Sequence, residues 1–411
     1  MNFEFDSEQN DLRDAVRGLL ERAYGDAEQR RQVTRNDPGF DEKTWGQLAE
    51  MGMLGLPFAE SDGGMGAGPI EVAIVAEQIG RVLAPEPFVE AVVLAGGLVA
   101  AVGTAEQRAE LLTPLSEGSS VLAFAHAEPR TRWSAAAQGV TATRDGDSWT
   151  LTGVKEPVLN GARADVLVVS AVTDGGTALF VVGGDASGLT RTGYRTHDGG
   201  RAANVTFAST PARLLGEGTA DRTADIGKAF ALARIAYANE AVGAMETALR
   251  TTAEYLTQRK QFGVTLNKFQ ALTFRAADMY VSLELARSTA LWASMVADAG
   301  GDVVAAADRA RLQTSRAGRH IGEEAIQLHG GIGVTAEYKV GHYTSRLTAI
   351  DHVLGDGDWA LDRLAATVGD HATVDPLGEP YAPGAGGPSR APRHLPRHLL
   401  FATRAIGCGW S

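Results

Sequence analysis

Cysteine is almost missing from this chain: Cys408 is alone among 411 residues. That excludes an intrachain disulfide and a cysteine-held metal cluster, and it fits a reducing, cytoplasmic setting. Long apolar runs are missing too. No stretch reaches ~18 residues without a charge, so no membrane span is expected. The opening Met1-Asn2-Phe3-Glu4-Phe5-Asp6 is acidic, with no apolar core of signal length behind it. A basic surplus is absent as well. The formal net charge of −12 argues against a general nucleic-acid binder. No period between about 20 and 50 residues recurs, which excludes a solenoid. What remains is a globular composition, 44% hydrophobic and 21% charged, on a chain long enough for two or three domains.

The pattern changes twice along the chain. Asp6-Ser7-Glu8 reads as a helix start, followed by Leu12, Val16, Leu19 and Leu20 at helical spacing. Trp45, Leu48, Met51 and Leu54 mark another helix, residues 69–83 and 87–102 read as buried helices, and Gly103 to Gln107 opens a short one ending at Ser116. From about Ser120, β-rich runs take over: Val140–Thr143, Trp149–Thr152, Val166–Ser170, Ala178–Val182 and Asn204–Phe207, with Asp and Gly between them. They predict an antiparallel sheet or small barrel. Helical periodicity returns near Asp225 and runs to about Val368. The expected domains are 1–119 helical, 120–218 β and 219–370 a helical bundle, an α+β order. Residues 371–411, rich in Pro and Gly, read as a mobile tail.

One stretch carries unusual side chains. Arg259-Lys-Gln-Phe262-Gly263-Val-Thr-Leu-Asn-Lys-Phe-Gln270 joins two helical stripes, Ile235 to Leu256 and Phe269 to Ala286, with Gly263 read as closing the first. An Arg can fork onto a diphosphate, and a Gln can pair with a ribose or a base edge. The plainer alternative is an Arg on the helix dipole and a buried Phe262.

Arg-x-x-Phe-Gly followed by Gln270 resembles the acyl-CoA dehydrogenase family, and so does Gln327-Leu-His-Gly330-Gly331-Ile-Gly333-Val-Thr335. The resemblance runs in order from residue 1 to about 368. It implies the family's three-domain architecture: a helical N-terminal domain, a middle β domain and a C-terminal four-helix bundle. It also implies FAD as cofactor and an acyl-CoA thioester as substrate. In that family the first motif reaches the FAD diphosphate and adenosine of a neighbouring subunit, and the second also lies on the cofactor. Arg259, Phe262, Gln270, Gln327, Gly330 and Gly331 are the corresponding cofactor-binding residues here.

The family's reaction removes hydrogens from Cα and Cβ, which asks for a base against Cα and donors on the thioester carbonyl. Asp356, in Leu354-Gly-Asp356-Gly-Asp358-Trp359, falls where the usual catalytic Glu would be. Asp is shorter by a methylene, and a ~1 Å misplacement can cost roughly a hundredfold. Alternatively Asp356 and Asp358 form the turn and cap the helix at Trp359. The other known position for the base, just before an Arg on the long helix, is Ala233 here. Arg234 follows it, a candidate for a CoA or carbonyl contact or for a pair within the bundle. Glu240 and Glu246 read as helix-surface charges. The family's Thr-Glu-Pro is Ala127-Glu128-Pro129, and its flavin-packing Trp-Ile-Thr/Ser-Asn is Pro157-Val158-Leu159-Asn160, so side-chain donors are missing at both places.

Two enzyme readings follow. The chain is an FAD-dependent acyl-CoA dehydrogenase, working in a dimer of dimers with Asp356 as base. Otherwise it is the non-catalytic partner in a heterotetramer with a paralogous subunit, whose FAD site it completes. The selective losses favour the partner role for this chain. A flavin-free scaffold is a third possibility, and it leaves the intact motifs unused. An electron-transfer acceptor is implied by the family, and fatty-acid or steroid side-chain breakdown is the expected setting.

Overall fold

The computed structural model describes residues 4–146 and 148–370. The tail expected over 371–411 lies outside the described residues. Among the described residues no helix is long and apolar enough to cross a membrane.

The helices before the strands are α1 (Ser7–Tyr24), α2 (Ala27–Arg35), α3 (Glu42–Glu50), α4 (Pro69–Val82), a π-helical stretch (Phe88–Gly96), α5 (Gly97–Val102) and α6 (Ala105–Ser116). Their starts follow from short polar side chains. The Asp6 carboxylate accepts from Gln9 N at 2.8 Å, and Thr104 and Gln107 cap α6 reciprocally at 3.3 and 3.0 Å. Then come β1 (Leu122–Ala125), β2 (Thr141–Asp145), β3 (Ser148–Leu159), β4 (Val166–Thr173), β5 (Gly176–Gly183), β6 (Leu189–Arg195) and β7 (Arg201–Leu214). The last part holds α7 (Thr223–Gln258), the short strands β8 (Lys260–Gln261) and β9 (Val264–Thr265), α8 (Gln270–Asp298), α9 (Val303–His329), α10 (Val340–His352) and α11 (Gly357–Ala366). Helices, strands, helices is the order an α+β chain was expected to show.

The described residues divide into two compact units, one of Ala23–Gly66 and Ala84–Ala233, the other of residues 4–22, Ala67–Leu83 and 234–370. In the first, strand pairing runs β4–β2–β3–β7–β5 and returns to β4, closing the sheet on itself. Most pairs are antiparallel, as expected. Contrary to an all-antiparallel sheet, β4 runs parallel to both β1, Leu122 opposite Val166, and β2, Thr141 opposite Val172. Leu151, Val169, Phe180, Val205 and Phe207 fill the interior, none more than 1% exposed.

In the second unit α9 packs on α8, α10 and α11, and α4 packs on α8. At the crossing of α4 and α7 the backbones come so close that only glycine fits. A Cβ on Gly80 would lie 1.9 Å from the Glu240 carbonyl oxygen, and one on Gly243 would lie 2.0 Å from that of Glu77. One expected surface charge is not on the surface. Glu240 is 1% exposed and accepts from Arg346 Nε at 2.7 Å. Its burial follows from that partner and the tight crossing beside it.

Candidate functional site

Helix α7 stops at Gln258, before Gly263, and Gly263 does not cap it. Instead Lys260 pairs with Thr265 and Gln261 with Val264, leaving Phe262 and Gly263 as a two-residue turn. Both central residues have positive φ, 52° and 83°, the mirror-image turn that matches strand twist. Phe262 is therefore held where a bulky residue is strained, and it is 91% exposed rather than buried. It touches Phe269 edge-on at 6.2 Å between ring centres. Arg259 is exposed. Among the described residues its guanidinium has no hydrogen bond or ion pair, while its carbonyl accepts from Leu266 N at 2.9 Å. Gln270, also exposed, begins α8, which has no side-chain cap.

The second stretch lies at the end of α9. Gly330 takes φ 65° and ψ −144°, a conformation reserved for glycine, and a Cβ on Gly331 would meet nothing. Gln327, Gly330 and Gly331 are exposed, and His329 between them is buried. Its Nδ1 bonds the Ala325 carbonyl at 2.7 Å. Burial holds its pKa below the usual range. The His329 ring packs 4.5 Å from Tyr255 and 5.0 Å from Tyr338. Tyr255 lies one helical turn before Arg259, so this aromatic cluster brings the two sequence stretches to one end of the bundle. Nothing in the spacing of either motif pointed to Tyr255 or Tyr338; only the His of the second stretch was visible in the sequence.

The remaining candidates are held differently. Asp356 is the N-cap of α11, its carboxylate accepting from Trp359 N at 2.8 Å. Arg234 is 3% exposed, with Nη1 at 3.2 Å from Asp308. Its guanidinium lies 4.8 Å from the Trp359 ring centre, and that of Arg363 lies at the same distance. Burial pulls the Arg234 pKa down to about 10, with Asp308 opposing. Arg234 thus pairs within the bundle.

In the β-rich unit Glu128 is buried. It accepts from the amides of Gln138, Gly139 and Val140 and from Lys155 Nζ at 2.6 Å. Burial alone would raise its pKa, but Lys155 and those amides hold it low. Lys155 also donates to the His126 carbonyl and Ser170 Oγ, both at 3.0 Å. Burial, aided by Lys155, pushes His126 down to about 4. Glu156 N donates to the Ala127 carbonyl at 2.7 Å, so the two donor-poor stretches, 127–129 and 157–160, lie side by side.

Residues 6–119, 123–209 and 223–369 match the N-terminal, middle and C-terminal domains of acyl-CoA dehydrogenases. Over 383 residues the chain is 30% identical to "Probable acyl-CoA dehydrogenase YngJ" of Bacillus subtilis, covering 89% of this chain and 98% of that protein. Among solved structures, a variant of the Tcur3481-Tcur3483 steroid ACAD is 34% identical with a TM-score of 0.80, covering 88% of this chain and 98% of the other. The ChsE4-ChsE5 complex from Mycobacterium tuberculosis is 27% identical with a TM-score of 0.82, covering 91% and 100%.

Proposed function

The chain belongs to the acyl-CoA dehydrogenase family, and we propose that it is the subunit of a heteromeric, FAD-dependent enzyme that completes the cofactor site of a paralogous catalytic chain. One observation carries this reading. Arg259, Phe262, Gln270, Gln327, Gly330 and Gly331 are all exposed on stretches that Tyr255 and His329 hold together, while Asp356 caps a helix and Arg234 is buried against Asp308.

The exposed set fits the nucleotide end of FAD. Arg259 has a free planar fork for a diphosphate, Gln270 offers both amide donors and an acceptor, and the glycines let a backbone approach closely. The isoalloxazine end fits poorly within this chain. Ala127, Pro157 and Leu159 present no side-chain donor, and Pro157 has no N–H. FAD, when bound, supplies the hydride acceptor for dehydrogenation of an acyl-CoA thioester. On this reading the paralogous subunit provides the base and the donors to the thioester carbonyl, and an electron-transfer acceptor reoxidises the assembly. The two solved complexes above are each named for a pair of proteins, which supports a two-gene arrangement. A further support is apolar: Phe274, Val281 and Leu285 share one face of α8 and are each more than half exposed, as a face covered by another subunit would be.

The test is a visible spectrum of the chain purified alone and after co-expression with a neighbouring paralogue. Colourless protein that becomes yellow and active only in the mixed assembly supports the partner role. A yellow homo-oligomer bleached by an acyl-CoA, with bleaching lost in Asp356→Ala, overturns it in favour of an autonomous dehydrogenase.

A further inference from the structure

A cavity of about 430 Å³ opens in the unit containing α4 and α8, and it shares no residue with the Arg259–Gln270 stretch or the Gln327–Gly331 loop. Five arginines line it, from four helices: Arg13 and Arg17 of α1, Arg81 of α4, Arg250 of α7 and Arg287 of α8. Three glutamates face them, and these are already engaged. Glu246 accepts from Arg81 at 2.6 Å and from Arg287 at 2.9 Å, Glu77 sits 3.2 Å from Arg287, and Glu284 lies 3.6 Å from the same guanidinium.

Arg13 and Arg17 stand outside this network. One turn apart on α1, they look into the same space. Arg13 meets the protein only through Nε, 3.1 Å from the adjacent Asp14. Arg17 donates through Nε to the carboxamide of Gln78 at 3.0 Å, and Gln78 is buried. The terminal amino groups of both have no partner among the described residues. Ile74 and Leu291 supply an apolar wall. Burial raises the Glu77 carboxyl that lines the cavity above its ordinary range, despite Arg287 beside it.

Two open guanidinium forks, a surplus of positive charge and an apolar wall define the ligand chemistry. Guanidinium forks match phosphate oxygens two at a time. The volume falls in the range of roughly 300–1,000 Å³ typical of organic ligands, more than a bare ion would fill. We propose that this cavity binds a phosphate monoester, its dianionic head held by Arg13 and Arg17 and its apolar body lying on Ile74 and Leu291.

Phenyl phosphate is the probe, titrated calorimetrically at fixed ionic strength into the full chain with any companion subunit and flavin it carries. Saturable binding at one site per chain is expected, with phenol giving none. Arg13→Gln/Arg17→Gln should weaken it at least about tenfold, the effect of losing charge-assisted hydrogen bonds. Arg259→Ala should bind the probe as the wild type does, which separates this cavity from the cofactor site. Absence of saturable binding, unchanged affinity in the double variant, or loss of binding in Arg259→Ala each overturns the proposal. Should the double variant fail to fold, Arg13→Gln alone serves, since that side chain bonds only its neighbour; unchanged affinity there overturns the proposal equally.

Discussion

Tyr255 and His329 meet ring against ring at 4.5 Å, 74 positions apart in the chain. Tyr255 sits one turn before Arg259, and His329 sits between Gln327 and Gly330. Their contact therefore makes one surface out of two motifs that the sequence keeps apart. Burial holds the His329 pKa below its usual range.

Loss of the Arg259 fork should be felt by the cofactor and not by the fold. Arg259 is exposed and its side chain has no partner among the described residues. Arg259→Ala should leave the melting temperature of the chain unchanged and weaken flavin retention by the assembly about ten- to a hundredfold, as expected for charge-assisted hydrogen bonds. Flavin released on dialysis measures it; full retention counts against the assignment.

Phe262 makes a separate prediction because it is strained and almost fully exposed. Such a residue contributes little to the isolated chain. Phe262→Ala should change its unfolding free energy by no more than about 0.5 kcal/mol. An aromatic anchor inserted in a neighbour would instead cost about 2 kcal/mol of association. Sedimentation of the assembly at decreasing concentration distinguishes the two; unaltered association removes Phe262 from the interface.

The crossing of α4 and α7 tests the packing. A methyl group at Gly80 or Gly243 would lie about 2 Å from a backbone oxygen, with no flexible side chain to move aside. Gly80→Ala and Gly243→Ala should each destabilise by about 3 kcal/mol or more. Urea unfolding reads this directly, and a loss under 1 kcal/mol would show that the helices part easily.

A buried carboxyl gives a pH signature. Glu86 is fully enclosed; burial pushes it up from 4.5 to about 7, while the Tyr24 hydroxyl, donating to Oε1, works against the shift. Its folded value is raised, so its contribution is complete below the unfolded value and is lost as pH rises through the folded one. Between pH 5 and pH 8 the unfolding free energy of the wild type should fall by about 2 kcal/mol relative to Glu86→Gln. Urea titrations of both proteins at the two pH values check the sign. A gap that does not move with pH would mean that Glu86 ionises normally in the folded chain.

How much of this was legible depended on whether the cause was local. Val166–Ser170 and Ala178–Val182 announced β4 and β5 because both are continuous β-branched and apolar runs within strands. The strand Leu122–Ala125 is four residues long, too short for a period, and Leu189–Arg195 is mostly exposed and polar, so neither showed. Gly263 was visible as punctuation, but whether it stops a helix or completes a turn depends on pairing between Lys260 and Thr265. Glu240 looked like a surface charge because its partner, Arg346, stands 106 residues away. The capping of α11 by Asp356 was readable, being a contact across three residues. The joining of Arg259 and Gln327 through Tyr255 and His329 was not, because it exists only once the bundle has formed.

The most direct measurement is the position of the Arg259 guanidinium in an experimental structure of the assembled, flavin-loaded enzyme. The expected result is a paired contact of about 3 Å with the diphosphate of an FAD seated chiefly in the adjoining subunit. An Arg259 facing bulk solvent, or an FAD held wholly within its own chain, would contradict it.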